Sequence, residues 1–282
     1  LAGSDPAETS AALLALTGRE PDAVGATADG VRHRLWVCDA EAAAPVLALM
    51  SSRPVTIADG HHRYETALAY RRDREADREH GVEPAWDYAL ALIYPLDQSP
   101  PALPTHRVLR GQPCGDDLLE RLASYGRIER LPGRAALLAR MAEPATFAPG
   151  VTGTGRIGVY TGRDPVAALL TVDRAATDAL LQAGLSEGSK GLDVNALSVI
   201  IDRAYGVDAT GLAANGQLWY VKDAIDALDQ VDREEASAAL LLDAMPPSAI
   251  SLVAEAGEVM PQKSTYFNPK APTGLVLSPL EW

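Results

Sequence analysis

Two observations predict a mixed α/β (α+β) fold. Stretches of helical and of strand character alternate along all 282 residues, and no repeat, low-complexity tract or long linker separates them. Apolar residues make up 47% of the chain and charged ones 22%, which supplies a core and excludes a disordered chain.

Each element follows from local chemistry. Asp5-Pro6 is a favoured cap and first-turn pair, so a helix is expected to run to Thr17. Strands are predicted at residues 31–38 and 55–58, with an alanine-rich helix at 41–50 between them. Asp59-Gly60 then turns the chain sharply into a helix from His61 to about His80, because Tyr64, Ala67 and Leu68 recur at helical spacing. Residues 87–96 and 103–110 read as neighbouring strands joined by a Pro-rich turn. Farther on, helices are expected at 116–125, 133–141, 175–183, 194–205, 222–228 and 247–256. Strands are expected at 127–131 and 238–242, with a hairpin formed by 156–160 and 167–172. A soft boundary at Gly111-Gln112-Pro113 divides the chain into parts 1–112 and 113–282. The first residue is Leu1 rather than methionine, so a preceding segment is expected.

Charge narrows the partners. Acidic residues outnumber basic ones 38 to 25, a net −13 that repels nucleic acid and anionic membranes, so an anionic ligand needs a local positive pocket. The longest apolar run, 88–96, falls far short of the roughly 18 residues that a spanning helix needs. Cys38 and Cys114 form neither a disulfide framework nor a CxxC pair, which points to a reducing compartment, the cytoplasm.

The segment from Thr56 to Thr66 carries the strongest chemical signal. A strand that ends in Asp59-Gly60 and passes at once into a helix leaves the first helical amides unpaired, with the positive end of the helix dipole behind them. Gly60 removes side-chain obstruction, while His61, His62 and Arg63 add donors around the same point, a setting for a polyphosphate. Two blander or different readings remain: Asp59 as a simple cap beside solvated histidines, or a metal site of Asp59, His61 and Glu65.

Pro104-Thr105-His106-Arg107 places one of only five histidines on a strand. Met260 to Lys270 holds two of the four lysines in a chain that has 21 arginines, which suggests a role for a compact ammonium at Lys263 beside Ser264 and Thr265. Lys263-Ser264-Thr265 is not a P-loop tail, since no glycine-rich loop precedes it. Asp193 reads as a helix cap, and Arg71 to Glu79, with four arginines and four acids, as a solvated helix face.

These three segments, Asp59 to Ala67, Pro104 to Arg107 and Met260 to Thr265, resemble the domain of unknown function 1015 family over essentially the whole chain. Asp59-Gly60-His61-His62-Arg63 also looks like the phosphate-binding box of the ParB and sulfiredoxin superfamily, which reads Gly-Glu-Arg-Arg in ParB-type CTP-binding proteins and Gly-Cys-His-Arg in sulfiredoxins. Gly60 and Arg63 match both, and His62 matches sulfiredoxin. His61 stands in place of the sulfiredoxin nucleophile, which argues against sulfinic-acid repair.

The resemblance implies a ParB/sulfiredoxin-like N-terminal part and, since the superfamily includes kinases of free serine, a phosphotransferase acting on a small hydroxyl metabolite, serine or phosphoserine first. It also implies a further N-terminal portion of about a hundred residues. The expected ligands are a nucleoside di- or triphosphate, ATP or ADP, with Mg²⁺. Asp59, Gly60, His61, His62, Arg63, Lys263, Ser264 and Thr265 would bind the nucleotide, and Asp59 would serve the metal. Glu65 or His106 would be the general base and Lys263 would neutralise developing charge. The alternatives are a non-enzymatic nucleotide switch of the ParB type and a metal-dependent hydrolase.

Overall fold

The computed structural model describes residues 6–28, 30–51, 55–94, 102–111, 113–144, 152–162, 166–261, 263–264, 266–267 and 273–280. Helices and sheets are mixed throughout. Two units divide the chain, Leu1–Ser99 with Pro269–Trp282, and Pro100–Asn268. Among the described residues no helix is long and apolar enough to cross a membrane, and Cys38 and Cys114 are not joined in a disulfide.

In the first unit, α1 (Pro6–Thr17) is followed by β1 (Ala23–Ala26) and β2 (Arg32–Leu35), an antiparallel pair with Ala23 opposite Leu35. Its base is tied by Arg19, whose guanidinium reaches both Asp22 oxygens at 2.9 and 2.7 Å, while Asp22 also accepts the Val37 amide at 2.7 Å. Helix α2 (Ala40–Ser51) matches the alanine-rich expectation. Residues 55–58 are not a strand: β-branched side chains favour extended backbone, but a strand also needs a neighbour, and 55–58 have none among the described residues.

Helix α3 (His61–Arg74) then runs into a 3-10 turn at Glu75–Asp77, shorter than the sequence suggested. Its basic end is not merely solvated. Arg78 grips both oxygens of Asp87 at 2.7 and 2.8 Å, Arg71 reaches the same carboxylate at 2.8 Å, and Arg74 lies over the Trp86 ring at 5.0 Å. The expected strand at 87–96 is absent where it is described: 85–87 form a 3-10 turn, 88–94 have no regular structure, and 95–96 lie outside the described residues.

The second unit is built on a sheet. A short pair, β3 (Ala102–Leu103) and β10 (Tyr266–Phe267), forms a sheet separate from a six-stranded one. The larger sheet comprises β4 (His106–Leu109), β5 (Gly126–Leu131), β6 (Arg156–Thr161), β7 (Val166–Val172), β8 (Leu218–Val221) and β9 (Ala238–Leu242). Their order is β5-β7-β6-β9-β4-β8, and every pairing is antiparallel.

Helices cover both faces. Leu109, Ile157, Val159, Leu170 and Leu240 pack with α4 (Gly115–Leu122), α8 (Asp193–Tyr205), α9 (Ala209–Ala214) and α11 (Pro247–Glu255). Their alternates Val108, Tyr160, Ala167, Ala239 and Leu241 pack with α5 (Arg134–Ala142) and α10 (Ala224–Asp232). Burial on both sides explains why β9 reads Ala-Ala-Leu-Leu-Leu without alternation. Each fully buried leucine or isoleucine here is worth about 1.5–3 kcal/mol.

Two short helices, α6 (Arg174–Asp178) and α7 (Glu187–Lys190), lead into α8. Asp193 does not cap α8, whose N-cap is Leu192. Its carboxylate instead accepts the Thr154 and Gly155 amides, both at 2.8 Å, and pairs with Arg174. Asp243 likewise holds Arg156 in a two-pronged pair at 2.8 and 2.9 Å. Both carboxylates are buried and fully engaged, a structural brace for the start of β6.

Candidate functional site

At the start of α3, Gly60 adopts φ 91° and ψ 25°, a left-handed conformation that favours glycine, and the Tyr64 amide donates to the Gly60 carbonyl at 3.0 Å to begin the helical ladder. The amides of His61, His62 and Arg63 come before that first bond and point out of the helix end. No side chain caps the helix and no acid stands in its first turn. Two histidines and an arginine sit there instead, the reverse of what the helix dipole favours.

The side chains form two exposed pairs. Arg63 folds back over Gly60, where a Cβ would stand 2.9 Å from Nη2, and reaches Asp59 at 3.3 Å. Asp59 therefore engages Arg63 rather than capping the helix. Nδ1 of His62 lies 3.2 Å from Glu65, and both side chains are largely exposed, at 88% and 71%. Glu65 thus turns to His62, whereas the alternative metal reading paired it with His61. Among the described residues no group of three His, Cys, Asp or Glu stands ready to hold a metal.

The other candidate residues belong to the second unit. The Thr105 hydroxyl donates to the Lys263 carbonyl, joining two segments 158 residues apart in the sequence. Lys263 is exposed and holds φ 58°, whereas Ser264 is buried with its hydroxyl donated to the Pro261 carbonyl, and Thr265 lies outside the described residues.

His106 is 4% exposed, and its Nδ1 accepts the Leu242 amide at 3.2 Å. Burial, and then the nearby Arg107 charge, push its pKa from 6.5 down to about 4. So placed, it is neutral at pH 7 with its proton on Nε2, and its one basic nitrogen is taken up by the Leu242 amide rather than open to a substrate hydroxyl. Arg107, which the sequence reading left without a role, is buried, donates from Nη1 to the Thr105 carbonyl and hydroxyl, and lies over the Tyr220 ring at 5.1 Å.

A family model described as "Protein of unknown function (DUF1015)" matches residues 1–195. The chain belongs to this family. Both the α3 start and the Pro104 to Arg107 segment of this DUF1015 protein fall within the match, while Lys263 lies beyond it. No curated protein and no solved structure matches the chain.

Proposed function

We propose that this DUF1015 protein binds a nucleoside di- or triphosphate, ATP or ADP, with Mg²⁺ at the start of α3. There it transfers a phosphoryl group to or from a small hydroxyl metabolite, with serine or phosphoserine the first to test. One observation carries the reading: an uncapped helix end, opened by a left-handed glycine, has three outward amides, a guanidinium and two histidine rings where the dipole calls for an anion. The residues suit such a ligand. Amides and a guanidinium match phosphate oxygens, and the Asp59 carboxylate is a hard oxygen donor for Mg²⁺.

The Mg²⁺ nucleotide supplies the phosphoryl group. Gly60, having no Cβ, leaves room for the Arg63 guanidinium over the helix end. Arg63, held by one long contact to Asp59, exchanges that carboxylate for phosphate oxygens. His62 orients Glu65, and Glu65 takes the proton of the acceptor hydroxyl, so that ATP and an alcohol give ADP, a phosphomonoester and a proton. Every assigned residue lies in the first unit.

Phosphorus NMR of the protein with ATP, Mg²⁺ and serine tests the reading. The expected result is a growing phosphomonoester resonance that Glu65→Gln slows by at least about 100-fold. Saturable nucleotide binding without that resonance, with ATP or with CTP, contradicts transfer and favours a non-enzymatic switch of the kind seen in the ParB superfamily.

A further inference from the structure

We propose that Arg107, its guanidinium held in place by Thr105, and Lys222 form a seat in the second unit for a dianionic phosphate, as a phosphomonoester or the free ion. The proposal goes beyond the α3 reading and rests on none of its residues. The decisive comparison is among arginines. Arg156, Arg174 and Arg134 of the same unit are partly buried, with 17%, 28% and 32% of the side chain exposed, and each is paired with a carboxylate: Asp243, Asp193, and Asp229 with Asp232. Arg107 is buried more deeply, at 6% exposure, yet among the described residues it has no carboxylate partner. A guanidinium taken out of water without an opposite charge is costly, and a bound anion is the ordinary remedy.

The surroundings are those of an oxyanion site. Arg107 lies opposite Tyr220 in the β4–β8 ladder, whose last pair is His106 and Val221; Thr105 precedes and Lys222 follows that pair, which brings Lys222 to the end of the ladder that carries Arg107. Lys222 is exposed, with its ammonium 3.7 Å from the centre of the Tyr266 ring, and it too has no carboxylate partner among the described residues. Only Nη1 of Arg107 donates to described residues, which leaves Nε and Nη2, a fork suited to two oxygens. Two positive charges that no described carboxylate contacts favour a dianion over a monoanionic carboxylate, while Asp223 and Asp243 stand near enough to act on His106 between them. Tyr220, 36% exposed, forms the outer wall over the guanidinium.

The test is a calorimetric titration of the full chain carrying Arg63→Ala, so that loss of the α3 site and loss of this seat are read separately. Inorganic phosphate and glycerol phosphate are the probes and acetate the monoanion control. Saturable binding of either phosphate is expected, stronger than acetate by about tenfold and reduced about fivefold by adding Lys222→Gln, an exposed position that leaves the fold intact. Arg107→Gln is expected to abolish it. Preference for the ester or for the free ion identifies the source. Absence of saturable binding, acetate binding as tightly as phosphate, or indifference to Lys222→Gln overturns the proposal.

Discussion

Among the described residues of the first unit, only Pro84 and Ala85 are buried, and Leu14, Leu47, Val55, Leu90 and Leu92 stand exposed, whereas the second unit buries an apolar layer on each face of its sheet. The first is organised by ion pairs and backbone turns such as Arg78 and Arg71 on Asp87 or Arg19 on Asp22. Half-exposed pairs such as Arg19 on Asp22 contribute little, on the order of 1 kcal/mol or less each, and of these only the Asp87 cluster is partly buried. Stability is therefore concentrated in the second unit, while the proposed nucleotide site lies in the first, where the backbone is held lightly enough to rearrange around a ligand.

Substitutions sharpen that contrast. Leu240→Ala in β9, at 1% exposure, is expected to cost about 4 kcal/mol in urea unfolding, against under about 1 kcal/mol for Leu47→Ala, at 53% exposure. Equal losses would break the comparison. Asp243→Ala strands the Arg156 guanidinium and should cost roughly 3 to 4 kcal/mol by the same measurement.

His106 yields a pH signature next in size. Its folded pKa of about 4 lies below the ordinary 6.5, so as pH falls through 6.5 the unfolded chain takes up a proton that the fold refuses. The stability this histidine contributes is complete above pH 6.5 and shrinks towards pH 4, by up to about 3 kcal/mol. Unfolding curves of His106→Gln should be correspondingly flatter across that window, and identical slopes would count against the burial of the ring. Smallest is Gly60→Ala, expected to destabilise the start of α3 by about 1 kcal/mol through its left-handed backbone, seen as faster amide exchange confined to that helix.

What the sequence disclosed follows the same division. Helix α8 was legible because Val194, Leu197, Ile201 and Ala204 recur on one face, and the β6–β7 hairpin because both strands are apolar and separated by turn residues. Strand β8 escaped notice, since Leu-Trp-Tyr-Val is short and its pairing with β4 spans about a hundred residues. Conversely, 55–58 had strand composition but no neighbour to pair with among the described residues. The α3 start was readable because Gly60, His61, His62 and Arg63 are contiguous. The neutral state of His106 and the isolation of Arg107 were not, because both depend on β8 and β9 closing around β4.

The account stands on the helix end at Gly60 receiving a polyphosphate. Isothermal titration of Mg²⁺ and ATP into the wild-type chain and into Arg63→Ala reads that contact directly. Loss of a charge-assisted grip on phosphate predicts an affinity at least about tenfold weaker in the variant. Affinities agreeing within about twofold, or a wild-type chain that takes up no nucleotide, would contradict it.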